Sequence, residues 1–206
     1  MPSRYRACPV FRVCPVFRVL FQSRTGYKLD VAPITLSAVK PSDTPIATLT
    51  GVGRYDFTAA EVAAIKAYVE AGGMLLIDST SGSGEFAKSV DATLQKMFEH
   101  NAPQDLPAKH PLFLPGPDGM ADLANWHFET TRDRKFRPTA VTRGFSHGTG
   151  FESLAAGKGH ILFSPIDITS GLLGTDTSGI VGFDSYYSES LMQNVILWTL
   201  DGQKDH

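Results

Sequence analysis

"TAAEVAAIKAYVEAGGMLLIDSTSGSGEF", residues 58–86, passes from a helix into a strand and on toward a second helix, and its reading decides the fold. Thr58 and Glu61 have the T-x-x-E spacing of a capping box, in which a hydroxyl and a carboxylate each satisfy a backbone N–H that the first helical turn leaves unpaired. Phe57 and Val62 flank that cap as a hydrophobic staple. Val62, Ile65 and Val69 fall on one helical face, and Gly72-Gly73 supply the left-handed stop. "MLLID", 74–78, is short, apolar and bounded by turn residues, which is the pattern of a central parallel strand buried on both faces. Phe86, Val90, Leu94, Met97 and Phe98 then recur at helical spacing and predict an amphipathic helix.

Outward from this core, "LDVAPITL" (29–36) and "TPIATLTG" (44–51) read as strands, the second running into Gly51-Val52-Gly53. Residues 101–135 are broken by Pro103, Pro107, Pro111, Pro115 and Pro117. Strands return at "TAVTR" (139–143) and "HILFSPID" (160–167), and Leu191, Val195 and Trp198 mark a last helix closed by Gly202. Alternating strands and helices predict an α/β fold with a parallel sheet and right-handed crossovers.

The segment "CPVFRVCPVFRV" (8–19) is a direct duplication in an Arg-rich stretch without acidic residues before Asp30. Residues 1–28 are expected as an irregular basic arm, 29–202 as the domain and 203–206 as a tail. A parallel strand in the arm needs a crossover of about a dozen residues to reach the next strand. The stretch between Phe21 and Leu29 is too short for one, so either a first strand-helix unit is missing or the arm pairs differently.

The chain has 206 residues, 42% of them hydrophobic and 19% charged, enough for one domain with a sizeable core. A formal net charge of -2 provides no basic field for nucleic acid. No run of eighteen apolar residues is present to span a bilayer, and Pro and Arg interrupt the N-terminal stretch too often for a signal peptide. The compartment stays open. Cys8 and Cys14 are the only cysteines, which leaves the rest of the chain without a thiolate nucleophile or thiolate metal ligand.

Ligands of open α/β sheets bind beyond the carboxyl ends of the strands, here 50–54, 78–83 and 164–169. Asp78, Ser79, Thr80, Ser81 and Ser83 read as an anion cradle, as a site for a serine nucleophile, or simply as the N-cap of the following helix. "GFSHG" (144–148) has the G-x-S-x-G form of a nucleophile elbow around Ser146, but the helix and the downstream acid and histidine that the elbow requires are not evident. Gly157-Lys158 lacks the rest of a phosphate-binding loop and reads as a turn before a strand. His100, His110, His127, His147 and His160 show no metal-ligand spacing, so neither a metal nor a cofactor is expected. Asp167 is carried by an apolar strand to the same sheet edge as Asp78, as a functional acid or a turn cap.

"LTGVGRYDFTAAEVAAIKAYVEAGGMLLIDSTSGSGEF", "LPAKHPLF", "GHILFSPID" and "NVILW", in this order, resemble the bacterial domain of unknown function family 4159 over nearly all of residues 29–201. The resemblance implies an α/β three-layer sandwich with a mostly parallel sheet, flavodoxin-like and similar in fold to class I glutamine amidotransferases, including the trehalose-utilisation type. In amidotransferases the nucleophilic cysteine follows the strand corresponding to "MLLID". Members of the family often carry cysteines near positions 80 and 81, where this chain has Thr80 and Ser81. The resemblance also implies an opening strand-helix unit that this chain lacks, and relatives that are longer, exported or membrane-linked.

The expectation is a non-catalytic binding or interaction module. Its pocket is formed by Gly51, Gly53, Asp78, Ser79, Ser81, His110 and Asp167, and takes a small hydroxylated or anionic ligand. The alternatives are a hydrolase using Ser79 or Ser81 with His110 as base and Asp167 orienting it, and a module that docks on an upstream domain or partner protein through an apolar patch.

Overall fold

The computed structural model describes residues 15–80, 84–98, 101–116, 119–123, 151–174 and 182–202. In chain order these form α1 (Pro15–Thr25), β1 (Ile46–Gly51), α2 (Ala59–Glu70), β2 (Met74–Ser79), α3 (Gly84–Met97), β3 (Gln104–Asp105), β4 (Glu152–Ala156), β5 (Gly159–Ser164), α4 (Thr169–Leu173) and α5 (Ser185–Leu200). Short 3-10 turns lie at Leu36–Ala38 and Pro111–Phe113. The architecture is α/β around one five-stranded sheet of order β1-β2-β5-β4-β3.

β1, β2 and β5 are parallel neighbours, whereas β4 pairs antiparallel with β5 and β3 antiparallel with β4. The sheet is therefore mixed, against the mostly parallel sheet expected. The cause is Gly157-Lys158, whose two-residue turn permits only antiparallel pairing of the strands it joins. Gly157 has φ +61°, and a Cβ there would lie 2.5 Å from the Glu70 carbonyl oxygen, so a side chain is excluded twice over.

Side-chain alternation along the central strands splits the core in two. Met74, Leu76 and Leu162 face a cluster that includes Phe17 and Phe21 of α1 and Leu191 and Val195 of α5. Leu75, Ile77, Ile161 and Phe163 face the other way, onto Ile65 and Val69 of α2 and Val90 and Leu94 of α3. β2 is buried at every position, as a strand covered on both faces must be.

The capping box of α2 is present: the Glu61 N–H donates to Thr58 Oγ1 at 3.2 Å and the Thr58 N–H donates to Glu61 Oε2 at 2.8 Å. Tyr55 adds its hydroxyl to Glu61 Oε1 at 2.6 Å. That bond to a carboxylate, with burial and the carboxylate's negative charge, pushes the Tyr55 phenol up to about 12. Burial pulls Glu61 upward, but the bonds from Tyr55 and Thr58 outweigh it and hold the carboxyl below its ordinary value.

Two local expectations fail. Residues 15–25, expected within an irregular arm, are helical, with Phe17 and Phe21 four residues apart and buried in the core. Pro15 stands at the first helical position, where its missing N–H costs nothing. Residues 29–36, expected as a strand, join no ladder, because among the described residues no strand runs beside them or beside the outer edge of β1. "TAVTR", the G-x-S-x-G stretch with Ser146, and His100, His127 and His147 lie outside the described residues. No described helix is long and apolar enough to cross a membrane.

Candidate functional site

Asp78 and Asp167 do meet at the carboxyl end of the sheet, and both are buried. Asp78 sits at the end of β2, between Thr50 of β1 and Ser164 of β5. Its Oδ1 accepts the Ile168 N–H at 2.9 Å, and its Oδ2 accepts the Thr169 N–H at 3.1 Å and the Thr169 hydroxyl at 2.5 Å. Asp167 accepts the Ser170 N–H at 2.8 Å and the Ser170 hydroxyl at 2.6 Å. Each carboxylate thus ties down the turn that opens α4, supplying acceptors to the free N–H groups of a helix start.

Burial, reinforced by the nearby Asp167 charge, raises the Asp78 carboxyl to about 7 although three donors favour its ionised form. Desolvation of a carboxylate in a water-poor site outweighs several hydrogen bonds to it. The pair is an internal brace.

The other expected site residues divide. Ser79 is fully buried beneath this brace and pairs with Gly51. Gly51 is required by packing, since a Cβ there would fall 2.3 Å from the Phe86 ring. Gly53 lies exposed in the bend beyond β1, with nothing within 4 Å of the place a Cβ would take. Ser81 and Ser83 lie outside the described residues.

His110 belongs to the opposite end of the molecule. Its ring centroid is 5.2 Å from that of Trp198, which is itself 5.2 Å from that of His160. His160 pairs with Met74 at the start of both strands, so roughly 13 Å of strand separates this cluster from Asp78. The Nδ1 of His110 accepts the Leu112 N–H at 3.2 Å and caps a 3-10 turn. The expected partnership of His110 with Ser79 or Asp167 is corrected: a base so placed cannot take a proton from a serine at the far end of the sheet. Among the described residues no group of three His, Cys, Asp or Glu side chains is placed to hold a metal ion.

Sequence reasoning missed the feature with the shape of a binding site. A cavity of about 490 Å³ lies along the outer edge of β1, bounded by Ile46, Ala47 and Thr48. Its roof and floor come from the two helical layers, Ile65 and Tyr68 of α2 on one side and Met192 and Ile196 of α5 on the other. Residues 27–34 form the remaining wall. The cavity therefore lies in the plane of the sheet, between its covering layers. Tyr27 and Leu200, exposed at 45% and 53%, line the same hollow. The only signal in the sequence was the missing crossover.

The buried amide of Asn194 was also missed. Its nitrogen donates to Leu112 O at 2.8 Å and Ala121 O at 2.9 Å while its oxygen accepts the Ala121 N–H at 2.8 Å. It fastens α5 to two otherwise irregular stretches.

Residues 16–128 match the family model described as Domain of unknown function (DUF4159). The match begins within α1, upstream of the expected boundary at 29, and ends before β4. No curated protein matches the chain.

Proposed function

The chain belongs to the DUF4159 family of unknown function, and from that premise we propose that it is a non-catalytic binding or protein-interaction module on an amidotransferase-like, flavodoxin-like scaffold. The observation that carries the reading is the cavity beside β1, an apolar hollow of ligand size at a sheet edge that no other strand pairs with among the described residues. The chemistry at the carboxyl end of β2 points the same way. Asp78-Ser79-Thr80 stands where amidotransferases keep a cysteine, Ser79 is fully buried, and both acids are engaged in holding backbone.

Binding of 1-anilinonaphthalene-8-sulfonate, followed by fluorescence, tests the assignment. The native protein is expected to bind the dye at one site, and Thr48→Phe, which narrows the hollow, to lose that binding while unfolding at an unchanged urea concentration. Hydrolysis of glutamine or nitrophenyl esters that disappears in Ser79→Ala would overturn the reading.

A further inference from the structure

A second cavity, of about 340 Å³, lies on the α2 and α3 side of the sheet and shares only Leu36 with the hollow beside β1. Its walls are aromatic. The rings of Tyr55 and Phe57 meet at 83° with centroids 4.8 Å apart, and Phe86 stands 6.5 Å from Phe57 at 43°. Rings that touch nearly at right angles form a corner, so two π faces bear on one point, and each attracts a cation. Leu36 and Leu49 add hydrocarbon to the lining.

The one charged side chain on this lining is Glu61. Against the pull of burial, the bonds from Tyr55 and Thr58 hold its carboxyl below the ordinary value. Among the described residues no ion pair neutralises it: Arg54 and Lys66, the cations on either side of it in sequence, pair with Asp56 and Glu70. The partial positive charge at the start of α2, roughly half a unit, offsets only part of the carboxylate. The site therefore favours a cation and disfavours an anion.

The bonds already made to Glu61 select the kind of cation. Its Oε1 accepts the Tyr55 hydroxyl at 2.6 Å, and its Oε2 accepts the Thr58 N–H at 2.8 Å and the Thr58 hydroxyl at 2.9 Å. A primary ammonium brings three N–H donors that each need an acceptor. A trimethylated ammonium brings none and lays methyl groups on the rings.

From this arrangement we infer that the cavity is a site for a trimethylammonium group, seated against Tyr55, Phe57 and Phe86 with its charge balanced by Glu61. The volume leaves room for a ligand of choline size. The inference goes beyond the binding surface proposed beside β1 and does not rest on it.

The test is calorimetric titration of the full chain with choline, its neutral carbon isostere 3,3-dimethylbutan-1-ol, and ethanolamine. The expected result is saturable one-to-one binding of choline, about tenfold tighter than either control. Phe57→Leu keeps an apolar residue before the cap but removes a π face, and Glu61→Gln keeps a capping-box residue but removes the charge. Each variant is expected to weaken choline about tenfold with an unchanged urea midpoint. A parallel titration with the amide of acetylated trimethyllysine separates two sources of the same group: whichever ligand binds tighter identifies a free metabolite or a modified side chain, and either supports the site. No saturable binding of choline or of the trimethyllysine amide would overturn the inference. Equal binding of the neutral isostere would overturn it too, as would tighter binding of ethanolamine or unchanged binding in both variants. The anionic dye bound beside β1 is expected to be indifferent to choline; its displacement would put choline in that hollow instead and overturn the inference while leaving the proposed function standing. Loss of dye binding alone would remove the proposed function and leave this site intact.

Discussion

The carboxyl end of the central strands and the outer edge of β1 are built on opposite plans. At the strand end, Asp78 and Asp167 are buried and each accepts at least two hydrogen bonds from the 168–170 turn. At the β1 edge, apolar side chains from both helical layers line a hollow among the described residues. A concentration of polar residues at a strand end invites a functional reading, yet here those groups hold the fold together. Unfilled apolar volume is the better guide to binding, because packed interiors seldom leave any.

Substitutions with the largest expected effect test whether the two regions differ in packing. Leu162→Ala empties a fully buried position and is expected to cost about 4 kcal/mol. Ile196→Ala enlarges space that already exists and is expected to cost about 2 kcal/mol, the low end for such a truncation. Urea denaturation measures both, and equal costs would break the contrast.

Next comes the brace. Asp78→Ala leaves the buried Ile168 N–H and the Thr169 N–H without their acceptor, and at pH 5 a loss of about 3 kcal/mol is expected. The same variant should remove a pH dependence. A carboxyl raised from 3.8 to about 7 in the folded state binds its proton more tightly there than in the unfolded chain. Its contribution is complete below about pH 4 and is lost as pH rises toward 7. The native protein should lose stability over that window, and Asp78→Ala should lose less; parallel urea midpoints from pH 4 to 8 would contradict the assignment.

The middle of α5 provides a smaller test. Asn194→Leu strips partners from the Leu112 carbonyl and from both backbone groups of Ala121, for an expected loss of about 2 kcal/mol by thermal unfolding. Smallest is Ala47→Val, which adds a β-branched side chain beside the hollow. It should raise stability by about 0.5 kcal/mol, the usual gain from filling space.

The elements legible in the sequence were those with a local cause. The capping box and paired glycines marked α2, continuous apolar character marked β2, and helical spacing marked α3 and α5. β4 was missed because "ESLAA" is made of residues without strand preference, and only its hairpin with β5 makes it a strand. α1 was hidden by the arginines of the duplicated segment, since its buried stripe reduces to Phe17 and Phe21. At the candidate site, strand-end logic brought Asp78 and Asp167 together correctly. It had no means of placing His110, which follows a proline-broken stretch without periodicity, nor of seeing that the two acids serve the 168–170 turn.

The mixed sheet also sets an order of assembly. β4 and β5 are joined by two residues and can pair as soon as both are extended, whereas β2 joins β5 only by bringing Met74 to His160 across the intervening chain. Closing that loop costs entropy before any contact compensates for it, so the β2–β5 ladder is expected to form after the hairpin. Until that ladder closes, both central strands expose apolar faces to solvent, which makes the interval before β2 meets β5 the time when the chain is most open to aggregation.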